Sequence, residues 1–194
     1  MHLVFLFLLM AAPFWEAKEP KEWTPQELAM LLTDSPWAQP AQAARPGAGI
    51  VPVQVYLASP RPMRDAELEW RRRTFGSEPQ TYAEHDYQEF LRENLATHIV
   101  LAVRITNPDV LADAEESRRM EEESYLKVGR KRLKMTGHFP PSETDPFLRL
   151  IFPREIPPNE RKITFELYLP SVAAPYRQVE FSLKPMVYRG KVEY

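Results

Sequence analysis

The chain has no cysteine, only six glycines and a net charge of just -2, and each shortage closes a class of functions. Without a thiol there is no disulfide framework, no thiolate metal site and no lipid-bearing cysteine, so the folded body must hold by packing. Scarce glycine leaves little for a phosphate-binding loop. Gly47 and Gly49 form one G-x-G, but it precedes a strand and no helix-starting glycine follows. Near-balanced charge removes the global attraction that draws a protein to nucleic acid or to an anionic membrane.

Nucleophile motifs are also missing, with no G-x-S-x-G elbow. His85 lies between Glu84 and Asp86 on an expected helix, where neighbours diverge by about 100° and do not converge on one proton or metal. His98 opens a strand on the face opposite Ile99 and Leu101, and His138 precedes Phe139 in a turn. No two histidines have the spacing of a metal site. These patterns point to no catalytic, cofactor-binding or metal-ligating residue and to no cofactor. A carboxylate pair assembled by folding is beyond the reach of sequence spacing.

What is present begins with the uncharged run Leu3 to Ala12. Its length suits a signal-peptide core of roughly 7 to 15 residues and falls short of the roughly 20 that span a bilayer. The expectation is export to the periplasm or beyond, with residues 1–17 a signal peptide or, if uncleaved, a membrane tether. No Lys or Arg precedes the run, and no small-x-small pair marks a clean cleavage site near Ala11, Ala12 or Ala17.

Residues 18–48 read as a short helix and a proline- and alanine-rich linker. Thr24 caps the helix, Pro25 suits its first position, Glu27 completes a capping box, and Trp23 is placed to staple onto Leu28. The helix ends near Asp34, before Ser35 and Pro36. Trp23 and Trp37 either anchor this segment to the body or form an exposed aromatic patch for a partner.

Residues 49–194 read as one mainly β domain, an Ig-like antiparallel β-sandwich of about seven strands. Period-two alternation appears at Val51 to Leu57, Ile99 to Ile105, Tyr125 to Met135, Leu148 to Phe152, Ile163 to Leu169, Val179 to Leu183 and Met186 to Tyr194. A helical insertion at 60–96 follows the first strand, with Glu67 and Arg71, and Glu69 and Arg73, spaced for ion pairs along a solvated helix. Thr81 and Glu84 offer a second capping box there. A further helix, capped by Asn107, is expected between the second and third strands.

The segments Trp23-Thr24-Pro25-Gln26-Glu27 through Leu31 to Ala38, Ser124 to Arg130, Phe147 to Pro153 and Met186 to Lys191 resemble a family of uncharacterised secreted bacterial proteins. The resemblance implies export and a single module over nearly the whole mature chain, and it implies no activity.

Lys127, Arg130, Lys131, Arg132 and Lys134 form the densest basic cluster. It reads either as a patch for a polyanionic surface polymer or as an edge strand kept from aggregating by its charges. Together these features favour a non-catalytic exported binding or assembly module, whose partner is another envelope protein or such a polymer. A hydrolase with dispersed carboxylates and a membrane-tethered accessory subunit are the alternatives.

Overall fold

The computed structural model describes residues 12–43, 53–77, 81–105, 111, 113–142, 144–170 and 175–194. The apolar run up to Ala11, the G-x-G pair and Asn107 lie outside them.

Two antiparallel sheets share the core. The first runs in the order β6 (Gly137–Phe139), β7 (Phe147–Pro153), β3 (His98–Arg104), β2 (Val53–Leu57), β1 (Ala38–Ala43). The second runs β5 (Lys131–Lys134), β4 (Tyr125–Val128), β8 (Lys162–Tyr168), β9 (Tyr176–Ser182) and again β1. β1 belongs to both, since Ala38 to Ala41 pair with β2 while Gln42 and Ala43 pair with β9. At the far edges β5 and β6 are consecutive, so the chain crosses between sheets there too. Strands that change sheets at corners are a known way to build a sandwich-like core.

The facing sides carry the residues of strict alternation. Ile99, Leu101 and Val103 stand opposite Phe152, Leu150 and Leu148, and all six are fully buried. Phe152 meets Phe165 of the second sheet edge-on at 5.2 Å, and Phe165 meets Phe181 at 5.9 Å. Such contacts contribute beyond the area they bury.

The described residues hold eleven strands instead of about seven, for local reasons. The expected strand Tyr125 to Met135 is a hairpin: Gly129 has φ +57 and opens a two-residue turn between Val128 and Lys131, a position that favours glycine. The expected last strand is a separate hairpin, β10 (Val187–Tyr188) and β11 (Lys191–Val192), turned by Arg189 and Gly190 with φ +50 and +74. It pairs with neither sheet. β1 and β6 carry no hydrophobic alternation. Ala38 and Ala41 are buried all the same, in the part of β1 that pairs with β2. Residues 38–43, expected to be linker, are therefore the hinge strand of the core.

Helices follow the capping signals. Thr24 Oγ1 accepts from Glu27 N at 3.1 Å and Glu27 returns the bond to Thr24 N at 2.8 Å, starting α2 (Pro25–Thr33). Before it stand two short turns, α1 (Phe14–Ala17) and a 3₁₀ turn at Pro20–Glu22. α3 (Arg61–Thr74) and α4 (Tyr82–Asn94) follow β2, and residues on the outward face of the first sheet, including Tyr56, Val100, Ala102 and Arg149, are buried. α5 (Ala114–Glu123) is capped by Asp113, whose Oδ1 accepts from Glu115 N at 2.8 Å, not by Asn107. It packs on β8 through the buried Met120, and Tyr168 OH donates to Glu116 at 2.8 Å. No helix among the described residues is long and apolar enough to cross a membrane.

Candidate ligand pocket

The first sheet is buried on both faces, and its outward face sets two polar side chains, Tyr56 and Arg149, among the apolar Val100, Ala102 and Ile151. Register places Tyr56 of β2 beside Ala102 of β3, and Ala102 beside Arg149 of β7, so these three form one rank under the helices. Glu67 of α3 comes down onto that rank. Its Oε1 accepts from Tyr56 OH at 2.5 Å and from Arg149 Nη2 at 3.1 Å. Arg149 Nη1 lies 2.6 Å from Asp145 Oδ2, and its guanidinium stacks on the Tyr87 ring of α4 with 4.2 Å to the centroid. The side chains of Arg149, Glu67 and Asp145 are only 7, 12 and 15 % exposed.

This cluster floors a pocket of about 520 Å³ between α2, α3, α4 and the loop before β7. The volume is within the range of small-molecule sites. Leu28, Leu32 and Phe147 contribute apolar wall, and Leu68 and Trp70, 49 and 38 % exposed, line it from more open positions.

Three carboxylates line the pocket, and two are fully engaged. Glu84 Oε1 accepts from Thr144 at 2.6 Å, while its Oε2 takes Arg71 and the Thr81 amide. Asp145 Oδ1 takes the Phe147 amide at 3.2 Å, leaving Oδ2 for Arg149. Glu67 Oε2, by contrast, accepts no hydrogen bond from the described residues. Burial pushes the Glu67 carboxyl above its ordinary value; Arg149 opposes this and Asp145 adds to it. Burial likewise holds Tyr56 far above the usual phenol range, so its hydroxyl remains a donor to Glu67. Tyr87 OH and Arg149 Nε are buried without a hydrogen-bond partner.

The residues singled out from sequence are elsewhere. Trp23 and Trp37 are 1 and 0 % exposed and offer no surface to a partner. Phe14 meets Trp23 at 6.1 Å, Trp15 meets Trp37 at 5.8 Å, and Trp37 Nε1 donates to Glu193 O at 2.7 Å. They are a clasp between the two ends of the chain. Lys127, Arg130, Lys131, Arg132 and Lys134 are exposed on the β4–β5 hairpin, and β5 is an edge strand in its own sheet. Lys131 pairs with Glu155 at 3.3 Å and Arg132 with Glu166 at 2.8 Å. Lys127, Arg130 and Lys134 make no ion pair with the described residues.

His85 lies 3.7 Å from Asp86, and Glu89 joins them within 4.8 Å, so adjacent side chains do converge here, contrary to the expectation. All three are exposed, as acidic groups on helices often are without a metal. His138 faces Glu121 at 3.2 Å and His98 packs on Phe90.

Sequence reasoning missed the pocket's floor because it paired Glu67 with Arg71. Arg71 instead bonds Glu84, thirteen residues on, and Glu67 meets Arg149, eighty-two residues on. One signal was available: Val100 and Ala102, which stand between Ile99, Leu101 and Val103, are apolar as well, and a strand apolar at both parities is buried on both faces. An arginine on the outward parity of a neighbouring strand was then bound to be buried.

No family model, curated protein or solved structure matches this chain.

Proposed function

We propose that the protein is an exported, non-catalytic binding module whose site is the pocket between the helical insertion and the first sheet. The observation that carries this reading is the state of the carboxylates. Hydrolysis by a carboxylate pair needs two acidic groups free to address one bond from opposite sides. Here two of three are consumed by arginines and amides, and one oxygen of Glu67 is left. An apolar-walled cavity with few convergent polar groups is the common form of a small-molecule binding site. Titration calorimetry of the full chain with small amphipathic ligands tests it. Saturable binding abolished by Ala29→Trp, which fills the cavity from α2, is expected; turnover of a glycoside or ester would overturn it.

The frame is proposed to be Ig-like, supported by two antiparallel sheets packed across one core, with β1, β6 and the divided hairpins as additions. Export belongs to the same proposal. α1 stands within the folded body, since Arg189 N donates to Glu16 at 2.8 Å and the rings of Phe14 and Trp15 reach Trp23 and Trp37. Processing that keeps this clasp must fall before Phe14, and intact mass of the envelope-derived protein is expected to show a chain beginning at Ala12 or Pro13, or an unprocessed tether. Cleavage after Ala17 would overturn the clasp's importance.

A further inference from the structure

The floor of the pocket is unbalanced in charge: Glu67 and Asp145 are carboxylates, and Arg149 is the single cation bonded to both. Tyr56 supplies Glu67 with a hydrogen bond and no charge. Buried charges are normally paired, because an uncompensated one loses its hydration without return. The surplus negative charge is met either by a proton on Glu67 or by an arriving cation.

We propose that the pocket takes a ligand bearing a protonated amine on an apolar body, with the ammonium docked on Glu67 Oε2. This rests on the reading of the pocket as a binding site and adds the ligand's chemistry. Three observations converge on it. Glu67 Oε2 is the free carboxylate oxygen of the floor, held in place because Oε1 is fixed by two donors. The aromatic residues Tyr56, Trp70 and Phe147 line the same space, beside Tyr87 whose ring already carries Arg149, and aromatic rings attract a cation. The other cations around the pocket are committed: Arg71 to Glu84, Arg73 to Glu69 at 2.6 Å, and Arg149 to the floor itself.

One cation remains. Arg104 ends β3 exposed and lines the pocket, and its side chain makes no ion pair or hydrogen bond with the described residues. It lies two residues from Ala102, hence about 7 Å along the strand from the Tyr56–Arg149 rank. The pocket is thus acidic at its floor and basic at this end, which turns a negative group away from Glu67. An anionic ligand would stay at the rim.

The test uses hexylamine, hexanol and hexanoate, three probes of one apolar length, titrated into the full chain at neutral pH. Hexylamine is expected to bind at least about tenfold tighter than hexanol, the worth of one charge-assisted hydrogen bond. Glu67→Gln is expected to remove that advantage, bringing hexylamine to within about threefold of hexanol in the same variant, whose thermal melt reports that it folds. Acidification should weaken hexylamine alone as Glu67 takes up a proton, against Arg149, Asp145, Tyr56 and Tyr87, which face it from β7, the loop before it, β2 and α4. Equal affinity for amine and alcohol, tighter hexanoate, or amine binding untouched by Glu67→Gln would overturn the ammonium assignment while leaving the binding pocket standing. Binding of none of the three would overturn both.

Discussion

The two faces of the first sheet are equally buried and built on opposite principles. The inward face stacks Ile99, Leu101, Val103, Leu148, Leu150 and Phe152 against the second sheet, with no polar atom among the side chains. The outward face, one residue out of step, places Tyr56 and Arg149 beneath α3 and α4 and closes on Glu67. Apolar packing is non-directional and tolerates repacking, so it specifies a core. The polar face works only if each hydrogen bond is made, and it leaves Glu67 Oε2 and Tyr87 OH unmade. In the proposed reading of the pocket, these two groups are what the outward face offers a ligand.

The sharpest break between the faces comes from removing a second-sheet side chain that packs on the inward one and truncating the outward one at its centre. Phe165→Ala empties the space between the ring planes of Phe152 and Phe181, and a buried Phe→Ala costs about 3 to 5 kcal/mol. Denaturant unfolding should show the midpoint falling with little change in slope. Arg149→Met acts on the other face by stranding two carboxylates. A broken buried pair costs about 3 to 5 kcal/mol, and the lower end is expected because Glu67 can take up a proton. The faces then differ in how they are rescued. Adding Glu67→Gln and Asp145→Asn to Arg149→Met should recover most of the loss, since no charge is left stranded, whereas no polar substitution restores Phe165→Ala. A triple variant less stable than Arg149→Met would show that the network is worth more than its desolvation.

The same contrast explains what the sequence made legible. Alternation reports one buried face, so β2, β3, β7, β8 and β9 were visible from their own residues, and helices α2 and α4 from their capping boxes. β1 was hidden because Ala-Gln-Pro-Ala-Gln-Ala has no large side chain to alternate, although Ala38 and Ala41 sit at the joint of both sheets. The final hairpin reads as a sheet strand because Met186 and Tyr188 bury their side chains, although β10 pairs with β11 alone. The pocket's floor was hidden for a different reason. Glu67 has a legitimate partner four residues away, and only tertiary structure shows that it prefers one on β7.

A smaller effect of opposite sign is expected at Tyr87. Its hydroxyl is buried without a hydrogen-bond partner, and an unsatisfied buried polar group costs about 1 to 3 kcal/mol. Tyr87→Phe keeps the ring under Arg149 and deletes the penalty, so the unliganded protein should gain up to about 1 kcal/mol. The equivalent trimming of the inward face can only lose stability. A loss at Tyr87→Phe, read as a lower thermal midpoint, would mean that the hydroxyl is satisfied and the outward face is complete.

The gentlest discriminator is pH, to which the inward face is blind. The Glu67 carboxyl is raised above its ordinary 4.5, chiefly by burial. Below 4.5 it is protonated in both the folded and the unfolded chain and contributes no slope. As pH climbs from there, the unfolded chain releases the proton freely while the folded chain still holds it. The folded state then binds more protons, and stability falls with rising pH until the buried carboxyl has ionised too. Asp65, also raised by burial and accepting from Tyr188 at 3.2 Å, works in the same direction. Glu27, Glu69 and Glu123, lowered respectively by Lys18, Arg72 and Tyr176, work in the opposite one, so the whole-protein profile is a sum. Subtraction isolates the floor: wild type minus Glu67→Gln should decline as pH rises above 4.5, and wild type minus the inward-face variant Leu101→Ala should be flat across the same window. A flat difference for Glu67→Gln would place its carboxyl in water, and the polarity of the outward face would then be a surface property with no consequence for the pocket.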